Sequence, residues 1–214
     1  MIYKHNTTAC VGDLNKIKTE RLVIPEGVKT INRNSFCNCT GIQTIVLPKN
    51  LEDIGYNPFV GCSNIRFESH SPLFKVKDDI LFNKDCSKLI CCPAWKATGE
   101  VYLPDSVITL ERGAFSGCDR MRAIHLHNVN VINKSCFTNC TALQKVHCSD
   151  LITYIGEWAF AYCCSLNEIS VSKDTFIDNN AFSNASPKIT VRKTSENYLI
   201  ESDNIYTLPA IQHH

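Results

Sequence analysis

Residues 103–118 read LPDSVITLERGAFSGC, and the spacing inside this stretch decides the fold. An apolar, alternating run (Val101, Leu103) stops at Pro104, a second apolar pair follows at Val107 and Leu110, and the unit closes on Ala114-Phe115 and Cys118. Alternation at period two points Val101 and Leu103 to one side of a short strand, and the proline prevents that strand from continuing. The second pair returns the chain across another side. The segment ending in phenylalanine and cysteine makes a short helical, 3-10 or irregular turn.

The same order recurs along the chain. Phenylalanines at 36, 59, 115, 137, 160 and 182 are 23, 56, 22, 23 and 22 residues apart. Three residues after each stand Cys39, Cys62, Cys118, Cys140, Cys163 and finally Ala185; three further on come Ile42, Ile65, Met121, Leu143 and Leu166, until Lys188 breaks the series. Upstream, Leu22-Val23-Ile24-Pro25 with Val28 and Ile31, and Ile45-Val46-Leu47-Pro48 with Leu51 and Ile54, repeat the strand, stop and return. One such coil cannot bury its apolar face alone, so the coils stack and share a continuous core.

These units resemble the BspA-like leucine-rich repeats, with Leu103–Cys118 and Ile155-Gly156-Glu157-Trp158-Ala159-Phe160 as the nearest copies of that pattern. The resemblance covers roughly residues 21–191. It implies a leucine-rich-repeat solenoid, a right-handed superhelix with a curved parallel β-sheet on its concave face. It also implies proteins that are surface-exposed or secreted and engage host or matrix proteins.

Three regions follow from the repeat. Residues 1–20 lack it and are expected to cap the first coil, 21–191 form the solenoid, and 192–214 form a C-terminal cap or tail that ends in His213-His214. The long interval between Phe59 and Phe115 holds an irregular coil at about 68–100, in which two apolar runs flank Asn83-Lys84-Asp85 and read as a hairpin.

Composition narrows the function. Lysine and arginine number 22 against 21 acidic residues, which leaves no basic footprint for a phosphate backbone. No apolar run approaches the roughly 18–20 residues of a membrane span, and Met1–Cys10 has no apolar core of a secretion signal. No nucleophile elbow, phosphate loop or zinc-protease motif is present. A non-catalytic module is therefore expected, without cofactor, nucleic acid or membrane insertion, and as a monomer.

Among the 13 cysteines, Cys39, Cys62, Cys118, Cys140 and Cys163 share one repeat phase and are expected to form an interior ladder of free thiols acting as small hydrophobes. The others show no paired C-x-x-C knuckle. So many thiols favour a reducing compartment, whereas the family resemblance implies the cell surface, and the sequence leaves the compartment open.

If the strands Leu22–Ile24, Ile45–Leu47, Val101–Leu103, Ile124–Leu126, Val146–Cys148, Ile169–Val171 and Ile189–Val191 stack in order, one outward row is Val23, Val46, Tyr102, His125, His147, Ser170 and Thr190, with His127 two residues from His125. These eight are the candidate residues for binding a protein ligand, since aromatic and histidine side chains supply contact area at low entropic cost. A plain solvated sheet face reads equally well. Two alternatives stand beside it: a metal site on the His125/His147 pair, although no carboxylate stands at an obvious position to orient it, and a structural repeat that self-assembles.

Overall fold

In the computed structural model the chain is a parallel β-solenoid of about seven turns. The structure describes residues 19–62 and 64–186, together with the strand backbones at 2–5, 8–11, 190–193, 196–201 and 204–207. The side chains of residues 1–18 and 192–214, and so nearly all of both segments expected to act as caps together with His213-His214, lie outside the described residues.

The alternating runs form the concave strands. Arg21–Val23, Thr44–Leu47 and Arg66–Ser69 pair in parallel as one three-stranded sheet. Thr98–Tyr102, Arg120–Leu126, Lys145–Cys148, Glu168–Val171 and Thr190–Lys193 pair in parallel as a second, which Glu196–Glu201 and Asn204–Thr207 extend antiparallel. Each second apolar pair forms a two-residue strand: Thr109–Leu110, Val131–Ile132, Tyr154–Ile155 and Phe176–Ile177 stack in register. At the other end Thr30–Ile31 and Asp53–Ile54 do the same, joined by Thr8–Val11 and its antiparallel partner Ile2–His5.

No helix occurs among the described residues, where short helical or 3-10 turns were expected. The reason is the destination of the turn's N–H groups. Ser35, Cys37 and Cys39 donate back three residues, to Asn32, Asn34 and Phe36, while the intervening Asn34, Phe36 and Asn38 donate across to Tyr56, Pro58 and Val60 of the next coil. A helix would need every N–H for its own i−4 carbonyl. Alternation between the two destinations requires a left-handed residue every fourth position: Asn34 and Asn38, Asn57 and Gly61, Gly113 and Gly117, Ser135 and Asn139, Trp158 and Tyr162, all with φ between 50° and 78°. Asparagine and glycine tolerate that conformation, whereas tryptophan and tyrosine adopt it only under constraint.

Inside the turn, the phenylalanines stack as a column. Phe115–Phe137, Phe137–Phe160 and Phe160–Phe182 have ring centroids 5.2, 5.0 and 5.2 Å apart, and Phe36–Phe59 forms a separate pair at 5.6 Å. The cysteine ladder is buried beside it. Its thiols also bind the backbone, since Cys62, Cys140 and Cys163 donate S–H to the carbonyls of Phe36, Phe115 and Phe137 in the preceding coil, at 2.9, 3.1 and 3.2 Å. Burial pushes the Cys140 thiol well above its ordinary value, which keeps it a donor. No disulfide forms among the described residues.

The irregular segment is a three-stranded antiparallel sheet, Phe74–Lys77, Ile80–Asn83 and Lys88–Cys91, and the last strand runs on in parallel with Thr109–Leu110. It interrupts both solenoid sheets. Leu81, Ile90 and Cys91 pack with the N-terminal core, while Ile80, Phe82, Leu89 and Cys92 pack with the C-terminal one. The segment is thus a wall buried on both faces between two hydrophobic cores.

Two outcomes test this account. Phe137→Ala, which removes the ring between Phe115 and Phe160, is expected to cost about 3–5 kcal/mol in a denaturant titration. Tyr162→Asn is expected to raise the same unfolding free energy by about 1 kcal/mol, because asparagine holds the left-handed conformation at lower cost.

Candidate interaction surface on the concave sheet

Parallel, in-register pairing brings equal positions of successive coils to a spacing of about 4.8 Å. Tyr102, His125 and His147 are such positions, aligned across three strands. Their rings stack face to face: Tyr102–His125 at 4.1 Å and His125–His147 at 4.2 Å between centroids, each tilted by 7°. His127 stands at 6.1 Å from His125, just past the end of the same strand. Tyr102 is 62% exposed while the His125 side chain, enclosed between two rings, is only 20% exposed.

A carboxylate that the sequence reading missed completes the group. A bulge between Gly99, at φ +65°, and Glu100 sets Glu100 opposite Ala123, whose methyl leaves room for a carboxylate beside it. The Tyr102 hydroxyl donates to Glu100 Oε2 at 2.9 Å, and His125 Nε2 lies 3.6 Å from the same oxygen, beyond direct hydrogen-bond distance. The signal was available in sequence, since Glu100 stands two residues before Tyr102 and so projects from the same side of the strand.

The electrostatics follow from these contacts. The Tyr102 hydrogen bond, helped by His125, holds the Glu100 carboxyl below its ordinary range and raises the Tyr102 hydroxyl. Desolvation lowers the pKa of His147, with His125 and Lys145 adding to the effect and Glu100 opposing it. The metal alternative fails on geometry. Two stacked, nearly parallel imidazoles with centroids 4.2 Å apart hold their lone pairs in separate planes that do not converge on one ion. Among the described residues no cluster of three or more His, Cys, Asp or Glu is placed to hold a metal.

The remaining candidates do not all join this group. Ser170 is exposed on the next strand, one residue beyond the Val146–Ile169 pair. Thr190 falls out of the row: it stands in register with Glu168, and Arg192 is the residue opposite Ser170. The last strand is therefore displaced by two residues from the expected alignment, and the Thr190 side chain lies outside the described residues. Val23 is 59% exposed but belongs to the other concave sheet, beyond the interruption. Val46, expected to be exposed, is only 2% exposed. It does point outward, between the inward Ile45 and Leu47, but Arg21 and Glu68 on the two flanking strands form a bidentate ion pair across its strand and cover it. The strand Arg66–Ser69 that carries Glu68 was not anticipated, although Ile65 and Phe67 alternate with the polar Arg66 and Glu68.

Comparison with known proteins identifies the repeat and the fold. The model of the BspA type leucine rich repeat region matches residues 14–96 and 94–190, with six copies. No curated protein sequence matches the chain. Among solved structures, a leucine rich cell surface protein of Faecalibacterium prausnitzii is 27% identical with a TM-score of 0.67, over 77% of this chain and 44% of that one. The pneumococcal vaccine antigen PcpA is 18% identical with a TM-score of 0.66, over 82% of this chain and 51% of that one. A leucine-rich repeat protein of Eubacterium ventriosum is 16% identical with a TM-score of 0.58, over 81% and 66%. The chain thus spans about half the length of the first two, and the latter two likenesses show the fold alone.

The ring stack has a pH signature. A depressed histidine pKa means that the unfolded chain binds a proton before the folded one does, so the contribution of His147 to stability is complete above about pH 6.5 and is lost as pH falls below it. The His147 ring resonances are expected to titrate with a midpoint below 6.5 by NMR, and His147→Gln is expected to reduce the loss of thermal stability on acidification from pH 7.

Proposed function

The chain belongs to the BspA-type leucine-rich repeat family, and we propose that it is a non-catalytic, monomeric module that binds a protein ligand through its concave sheet. Repeats of this family are generally protein-interaction or adhesion modules. The observation that carries the reading is the stack of Tyr102, His125 and His147 with Glu100 bonded to its end. A preformed row of rings offers contact area without the entropic cost of ordering flexible side chains, and interface hot spots are enriched in such residues. Its edge carries both hydrogen-bond donors and a negative charge, which gives it selectivity as well as area.

Adhesion or contact with a host protein at a cell surface is the setting this reading favours. The similarity to a cell surface protein of Faecalibacterium prausnitzii supports it.

A comparison of two immobilised baits, wild type and the Tyr102→Ala, His125→Ala, His147→Ala variant, tests the proposal. Circular dichroism checks that both are folded. A protein captured from cell or host extract by the wild type is expected to bind the variant at least about 30-fold more weakly, the loss of a hot spot worth roughly 2 kcal/mol. Equal capture by both baits would overturn the concave-face reading.

A further inference from the structure

In the first concave sheet the outward-facing residues turn their main-chain groups back toward the preceding coil, and the same parallel winding sets the same alternation in the second. Thr44 N–H bonds Glu20 O, Arg66 N–H bonds Gln43 O, and the Val46 carbonyl accepts from Ile24 N–H. Inward residues bond forward instead, as when the Leu47 carbonyl accepts from His70 N–H. The strand Thr98–Tyr102 begins its sheet and has no preceding concave strand paired with it, because the antiparallel wall interrupts the stack at that point. The outward residues of this strand are Glu100 and Tyr102. Their main-chain groups therefore face an unpaired sheet edge, and among the described residues no hydrogen bond to either N–H arises from outside the ladder with Arg120–Leu126.

That edge is not blocked. It forms one side of a cleft of about 270 Å³ whose other side is the turn of the wall, at Lys77, Asp78 and Ile80. One face of the Tyr102 ring is taken by His125, and the ring is nevertheless 62% exposed, so its other face looks into the open side. The Glu100 carboxylate, held ionised, stands beside it. A flat π-face next to a carboxylate is the arrangement that suits a guanidinium, which stacks and pairs at once. The chain uses such stacks internally, with Arg66 4.5 Å above Trp95 and Arg112 5.2 Å from the centre of the Tyr56 ring.

We propose that the open edge of Thr98–Tyr102 takes an extended, arginine-bearing segment of the protein ligand, which joins the concave sheet as an added strand and lays a guanidinium over Tyr102 against Glu100. This rests on the concave sheet being a ligand-binding surface and names the form the ligand takes there. Main-chain bonds to Glu100 and Tyr102 supply register, and the side chain supplies selectivity.

The probe is a blocked five-residue peptide alternating valine and arginine, titrated into the full chain by NMR with amide hydrogen exchange. Exchange at Glu100 and Tyr102 is expected to slow on binding. Methylating one alternate set of the peptide's main-chain nitrogens is expected to weaken binding about tenfold while methylating the other set leaves it unchanged, since only one edge of an added strand is used. Glutamate in place of arginine, and Glu100→Gln in the protein, are each expected to weaken it severalfold. Equal affinity of the two methylated peptides, unprotected Glu100 and Tyr102 amides, no binding of the arginine peptide, or equal binding of the glutamate peptide would overturn the proposal. Any of these, together with a captured partner that depends on Tyr102 and His147, removes strand addition and leaves the concave surface standing.

Discussion

The structure depends on a division of hydrogen bonds. In the turns around Phe36, Phe115, Phe137 and Phe160, alternate N–H groups close a local ring and the rest cross to the neighbouring coil, so such a turn is complete only when another coil is stacked on it. This makes the coils mutually dependent at the level of the backbone, before any side chain is considered. The phenylalanine column and the thiol ladder then fit the space that this stacking leaves. The Cys62, Cys140 and Cys163 thiols occupy carbonyl lone pairs that the crossing pattern leaves over at Phe36, Phe115 and Phe137. A cysteine is small enough for the interior and still able to donate, which a valine or alanine is not.

The parts of this fold that were legible in sequence are those with a period. The phase of Phe115, Phe137 and Phe160 and of their cysteines gave the coil length, and the alternation at Val101–Leu103 and Ile124–Leu126 gave the strands. What the sequence did not reveal arises between coils. A helical turn and a turn that shares its N–H groups with a neighbour have the same spacing of apolar residues, and only the asparagines and glycines at the left-handed positions distinguish them. Val46 was misjudged because its cover, the Arg21–Glu68 pair, comes from two other coils. Thr190 was misjudged because the repeat decays after Phe182 and no longer fixes the register.

The concave face shows the same split. Pairing of His125 with His147 follows from their separation of 22 residues, and the structure brings the rings into contact. Glu100 is not legible in the aligned row of Tyr102, His125 and His147, because it belongs to the neighbouring outward row of the same strand. Once the bulge at Gly99 and the methyl of Ala123 are seen, that carboxylate changes the character of the surface. A neutral aromatic row becomes one with a fixed negative end, open toward the interruption in the sheet.

The wall that causes the interruption has a wider consequence. Where coupling acts only between neighbours, an insertion that merely spaced the coils apart would leave two blocks free to melt separately. Here Ile80 and Phe82 point into one core and Leu81 into the other, and Leu89 with Cys92 is likewise set against Ile90 with Cys91. Loss of either block exposes one face of the same strands and removes the support of the other. Cooperativity of the whole array thus passes through a few residues whose choice is constrained from both sides at once, and length can be gained or lost at the ends of the solenoid more freely than at this seam.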